Sequence, residues 1–68
     1  MDSKVKEALL ARGNYLMPRN IAIYNADHYE PVAEIAREFR LSRSRIYYIL
    51  TTMKRLVRMY EMKLGLKT

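Results

Sequence analysis

Residues 37–48, REFRLSRSRIYY, place Arg37, Arg40, Arg43 and Arg45 and the adjacent pair Tyr47 and Tyr48 within twelve positions. Guanidinium groups present planar forks that bond phosphate oxygens or a guanine edge bidentately. Ser42, Ser44 and Thr51 add short hydroxyls, and Lys54, Arg55 and Arg58 carry the positive charge further along. This chemistry holds a polyanion and does not make or break bonds. No nucleophile–base pair, glycine-rich phosphate loop or carboxylate pair has supporting context. His28 stands without a second histidine or a cysteine to share a metal, and Asp27 and Glu30 read as helix-start charges. Neither an enzyme, a metal nor a cofactor is expected.

The positive charge is segregated. Residues 1–36 set Lys4, Lys6, Arg12 and Arg19 against Asp2, Glu7, Asp27, Glu30 and Glu34. Beyond them nine basic residues face only Glu38 and Glu61, and the chain carries +6 overall. A basic half on a small domain attracts polyanions and speeds their encounter. At 68 residues the chain forms one domain, 1–68, and contains no cysteine to staple it. A chain of this size buries only about 60% of the surface that its unfolded form exposes. Helix packing and self-association are the remaining sources of stability. No apolar run is long enough to span a bilayer, and the expected setting is the cytoplasm of a bacterium or an infected bacterial cell.

The elements that must position these side chains are all helical. In DSKVKEALLARG, Asp2 or Ser3 caps a short helix whose inner stripe is Val5, Ala8 and Leu9 with the stem of Arg12, and Gly13 suits the left-handed position past its end. Pro18 opens a second helix over 18–26, with Ile21, Ile23 and Tyr24 packing and Ala22 allowing close approach. Pro31 reads as the first residue of a third helix, in which Val32, Ile35, Ala36 and Phe39 share a face. Ser42 caps a fourth helix, and no glycine or proline follows until Gly65. That helix runs about 20 residues, or bends near Thr51 and Thr52 to give a fifth. The fold is a small all-α domain of four helices, or five, with a long C-terminal helix.

Residues 32–51 have the pattern of a helix-turn-helix. Two helices crossing steeply over a three- or four-residue turn need a small residue at the crossing, supplied by Ala36. They also need apolar facing sides, supplied by Ile35, Phe39, Leu41, Ile46 and Ile49. The turn usually favours glycine for a positive φ, whereas this chain has Arg40, at a modest backbone cost. An ordinary helical hairpin in a small bundle is the alternative.

The stretch RNIAIYNADHYEPVAEIAREFRLSRSRIYYIL, residues 19–50, resembles the C-terminal DNA-binding part of the Mor transcription activators of Mu-like phages. The resemblance lies in Arg19-Asn20, Ile23-Tyr24, Val32 to Ala36, Leu41-Ser42 and Arg45 to Tyr47. It implies a helix-turn-helix that binds DNA as a dimer in phage transcription. Mor-type activators carry a separate dimerisation region ahead of this part. Only 18 residues precede the match here, so the dimer contact is expected elsewhere. Size and motif also resemble small phage proteins that turn a Mor-like helix-turn-helix onto host regulators, such as the quorum-sensing anti-activator of Pseudomonas phages.

In a DNA-bound arrangement the second helix of the motif enters the major groove. Its outward positions are then Ser42, Arg43, Ser44, Tyr47, Tyr48 and Thr51. Arg43 is the expected base reader; Ser44 and Tyr47 reach bases or phosphates; Arg37, Arg40 and Arg45 hold phosphates. Lys54, Arg55 and Arg58 touch backbone or face water. Tyr48 fits this scheme least, because tyrosine beside arginine is also the composition of a protein-binding hot spot. Further along, Met53, Leu56, Val57, Tyr60 and Leu64 recur at three- and four-residue steps within 52–64, which suits a helix seam to a second chain or partner. Closure over the chain's own first helix is the alternative. Two functions therefore remain open: a phage or prophage regulator binding double-stranded DNA as a homodimer, or an anti-activator inhibiting a host bacterial regulatory protein.

Overall fold

The computed structural model describes residues 1–66 and contains four helices among them: α1 (Ser3–Leu10), α2 (Met17–Ala26), α3 (Val32–Phe39) and α4 (Arg43–Lys63). Asp2 caps α1, its carboxylate accepting from the Lys4 amide at 2.8 Å. The helix ends at Leu10, short of the expected stop, because two further tight turns carry the chain to Gly13 at φ 78°. Asn14 then accepts from the Leu16 amide through its side chain, at 2.9 Å, and folds the chain back towards α2. Pro18 sits in the first turn of α2, one residue inside the start. Pro31 lies just outside α3 as its cap, extended at ψ 154°, and its carbonyl accepts from Glu34 and Ile35.

The turn between α3 and α4 follows from where Arg40 sits. At φ 56° and ψ 44° it is left-handed, and among the described residues no other non-glycine has a positive φ. That conformation lets the Leu41 amide reach back to the Ala36 carbonyl at 3.0 Å and the Arg40 amide to Arg37 at 3.3 Å. Two carbonyls that the end of α3 would leave unsatisfied are so bonded, and Leu41 packs against the core. Ser42 then caps α4 by accepting from the Arg45 amide at 3.1 Å. The expected bend at Thr51 and Thr52 is not formed, and α4 runs 21 residues without a break. It packs against all three other helices, so tertiary contact outweighs the weak propensity of two threonines.

Among the described residues the core is wholly apolar: Val5 and Leu9 from α1; Met17, Ile21 and Ile23 from α2; Ile35 and Ala36 from α3; and five residues of α4. Ile21 and Ile23 stand about 200° apart on α2, yet both are buried, so α2 is covered on two sides. Ala22 consequently faces outward, contrary to the close-packing role expected of it. Among the described residues no helix is long and apolar enough to cross a membrane.

Candidate nucleic-acid interface

The geometry of α4 follows from which of its side chains the core takes. Ile46, Ile49, Leu50, Met53 and Val57 are buried and make one inward stripe. That stripe forces Arg43, Ser44, Arg45, Tyr47, Tyr48 and Thr51 to the outer surface, where all six are exposed. The α3–α4 turn holds this surface at the N-terminal end of α4, the position from which a helix-turn-helix presents side chains to a groove. Ser42 is also exposed, but its hydroxyl is already engaged in capping.

Exposure differs from availability for the flanking cations. Arg37 pairs with Glu34 one turn earlier on α3, at 3.5 Å. Lys54 reaches Asp27 at the end of α2, at 3.8 Å, tying α4 to the loop ahead of the motif. Arg40 and Arg55 are exposed. The Arg45 guanidinium lies 5.8 Å from the centre of the Tyr48 ring, a cation–π arrangement that joins the two residues. Sequence periodicity places Arg45 and Tyr48 three residues apart on a helix, a spacing that makes them neighbours. Lys54 and Asp27 had no such signal, because they meet only through the packing of α2 on α4.

Carboxylates gather on the other flank of the motif. The Glu30 carboxyl is held above the ordinary glutamate range, first by a hydrogen bond with Glu38 and then by partial desolvation and the charges of Glu38 and Glu34. The acidic edge thus lies along α3 and the loop before it, and the basic surface along α4.

The expected seam divides in a similar way. Met53 is 1% exposed and Val57 4%, both taken into the chain's own core. Leu56 and Tyr60 are half-buried against that core, and Leu64 is exposed. The Tyr60 hydroxyl accepts from Arg12, at 3.3 Å, linking the end of α4 to the end of α1. The outward apolar surface here is Met59, Met62, Leu64 and Leu66, of which the expected seam included Leu64 alone.

No curated protein and no solved structure matches the chain. A family does match, over residues 14–68, which take in α2, α3, the turn and α4. With a left-handed turn at Arg40, a capped outward helix and a match of this extent, the chain belongs to the family described as "Putative helix-turn-helix protein, YlxM / p13 like".

Proposed function

We propose that the chain is a regulator that binds double-stranded DNA as a homodimer, with the first half of α4 in the major groove. The observation that carries this reading is the outward row of Arg43, Ser44 and Arg45 at the start of α4, directly after the helix-turn-helix turn. Arg43 reads a base edge, Arg40, Arg45 and Arg55 hold phosphates, and Tyr47 and Thr51 line the groove wall. Arg37 joins them by giving up an exposed ion pair of small worth, and Lys54 by leaving the half-buried Asp27. The second copy meets this one at the end of α4, around Leu56, Tyr60 and Leu64. The phage or prophage setting rests on the resemblance of residues 19–50 to Mor activators, and a cytoplasmic site of action follows from a DNA target.

Fluorescence anisotropy with a mixed-sequence duplex, titrated across salt, tests the reading. Affinity should fall steeply as salt rises, because each neutralised phosphate releases counterions. Arg43→Ala should relax base preference by about 1–3 kcal/mol in selection from a random duplex pool. Salt-insensitive binding, or an unchanged preference, would sink the groove assignment.

A second reading is favoured by one feature, the exposed Tyr48 with Arg45 against it. Such a pair can anchor a protein partner, which would make the chain an inhibitor of a host regulatory protein. A complex with a bacterial transcription factor that survives high salt and is lost on Tyr48→Ala would favour that reading.

A further inference from the structure

Tyr47 and Tyr48 are not accounted for by folding or by reading duplex edges. Tyr47 is 58% exposed and Tyr48 65% exposed, while Ile46, Ile49 and Leu50 on the same turns supply the core. Base edges in a groove are read by forked or amide side chains, and Arg43–Thr52 contains no Asn, Gln, Asp or Glu. A phenol offers one hydroxyl to an edge but a whole aromatic face to a base. That face is useful only where the base's own face is uncovered, because paired bases inside a duplex stack on their neighbours.

We propose that this surface of α4 binds nucleic acid carrying unpaired bases, which stack on Tyr47 and Tyr48 while the flanking cations hold the backbone. The proposal shares with the reading above a nucleic-acid ligand on the basic face of α4, and departs from it in the form of strand that this face takes. Consecutive residues leave a helix about 100° apart, so the two rings form separate platforms on either side of the line through Ser44 and Thr51. Each platform has its own cations. Arg43 lies one turn before Tyr47, and Lys54 two turns after it. Arg45 lies over Tyr48, with Arg55 two turns beyond. Aromatic rings interleaved with basic side chains are the composition that binds single strands, with stacking indifferent to base identity. The guanidinium of Arg45 also orients the Tyr48 ring, so less side-chain freedom is lost when a base arrives.

The test compares labelled oligothymidylate, oligouridylate and a blunt mixed-sequence duplex of equal length, binding the full chain at one salt concentration. The unpaired strands should bind more tightly than the duplex. Tyr48→Ala and Tyr47→Ala should each weaken binding to the strands by roughly 5- to 150-fold, the worth of one stacked base. Tyr→Phe at either position should restore most of it, because stacking needs the ring and not the hydroxyl. Both residues are exposed, so these variants keep their fold, which circular dichroism checks. The ring protons of both tyrosines should move upfield on binding, a signature of stacking that a phosphate contact would not produce. A preference for the ribose or the deoxyribose strand supports the proposal and names its source. Tighter duplex binding with Tyr→Ala variants unaffected overturns it and leaves the groove reading standing. Absence of binding to all three probes overturns both, and the face then belongs to a protein partner.

Discussion

The two halves of α4 make opposite use of the same helix. Between Arg43 and Thr52 the chain spends Ile46, Ile49 and Leu50 on the core and leaves arginine, serine and tyrosine facing out. Between Met53 and Lys63 it buries Met53 and Val57, half-buries Leu56 and Tyr60, and ties itself to the turn after α1 through the Arg12–Tyr60 hydrogen bond. The first half is therefore a display surface on a narrow buried stripe, and the second half is an anchor. Continuity matters here: a rigid helix, held along its length by α1, α2 and α3, fixes the direction of the display side chains without any contribution from them. Sequence change on the outward face of the first half can alter what is bound and leave the fold intact. Change in the stripe of either half cannot.

The largest effect should come from pitting two methionines of the anchor half against each other. Met53 is buried and Met62 exposed, on the same helix and of the same residue type. Met53→Ala should cost about 2–5 kcal/mol, a large part of the roughly 3–10 kcal/mol that a domain of this size holds. Met62→Ala should stay within about 0.5 kcal/mol. Urea midpoints measure both. Equal losses would mean that Met62 is buried in solution as well, and the seam proposed around Leu56, Tyr60 and Leu64 would then extend over it.

Arg40→Gly sharpens the contrast between display and scaffold at a single residue. Arg40 holds the left-handed position of the turn, which glycine adopts without strain, so the variant should gain up to about 1 kcal/mol in stability. If Arg40 also holds a phosphate, duplex affinity should fall for all sequences alike and the salt slope should become shallower by about one unit. Raised stability with unchanged DNA affinity would remove Arg40 from the interface and leave it as a turn residue.

The smallest effect concerns the acidic edge of α3. The Glu30 carboxyl is raised above its ordinary range mainly by Glu38, so the folded state binds that proton more tightly than the unfolded chain. Stability should then decline slightly as pH rises from the ordinary glutamate range through the raised value of Glu30. Glu38→Gln should flatten that decline, measured as melting temperature against pH between acid and neutral. An unaltered profile would mean that the two side chains do not share a proton in solution.

Much of the fold was legible because its signals are local. Asp2 and Ser42 as caps, Gly13 at positive φ, and the spacing of Ile35, Ala36, Ile46 and Ile49 each depend on neighbours within a turn or two. The strained turn at Arg40 could be anticipated in the same way, because the motif's geometry demands a left-handed residue whatever side chain occupies it. Exposure of Arg43, Ser44, Arg45, Tyr47, Tyr48 and Thr51 followed from the stripe they are left out of.

The partner of that stripe was another matter. Met53 and Val57 have the spacing of a seam, and spacing describes a face without saying what covers it. Only the approach of α1 and α2 assigned both residues to the chain's own core, turned Ala22 outward and kept α4 unbroken through Thr51 and Thr52. The Arg12–Tyr60 and Lys54–Asp27 contacts likewise join residues far apart in the chain. The sequence by itself determined the helices, their caps and the segregation of basic charge, because those are set by backbone preferences and side-chain identity over short range. The tertiary structure decided which half of α4 anchors and which half displays, because burial depends on what lies opposite a face and not on the face alone.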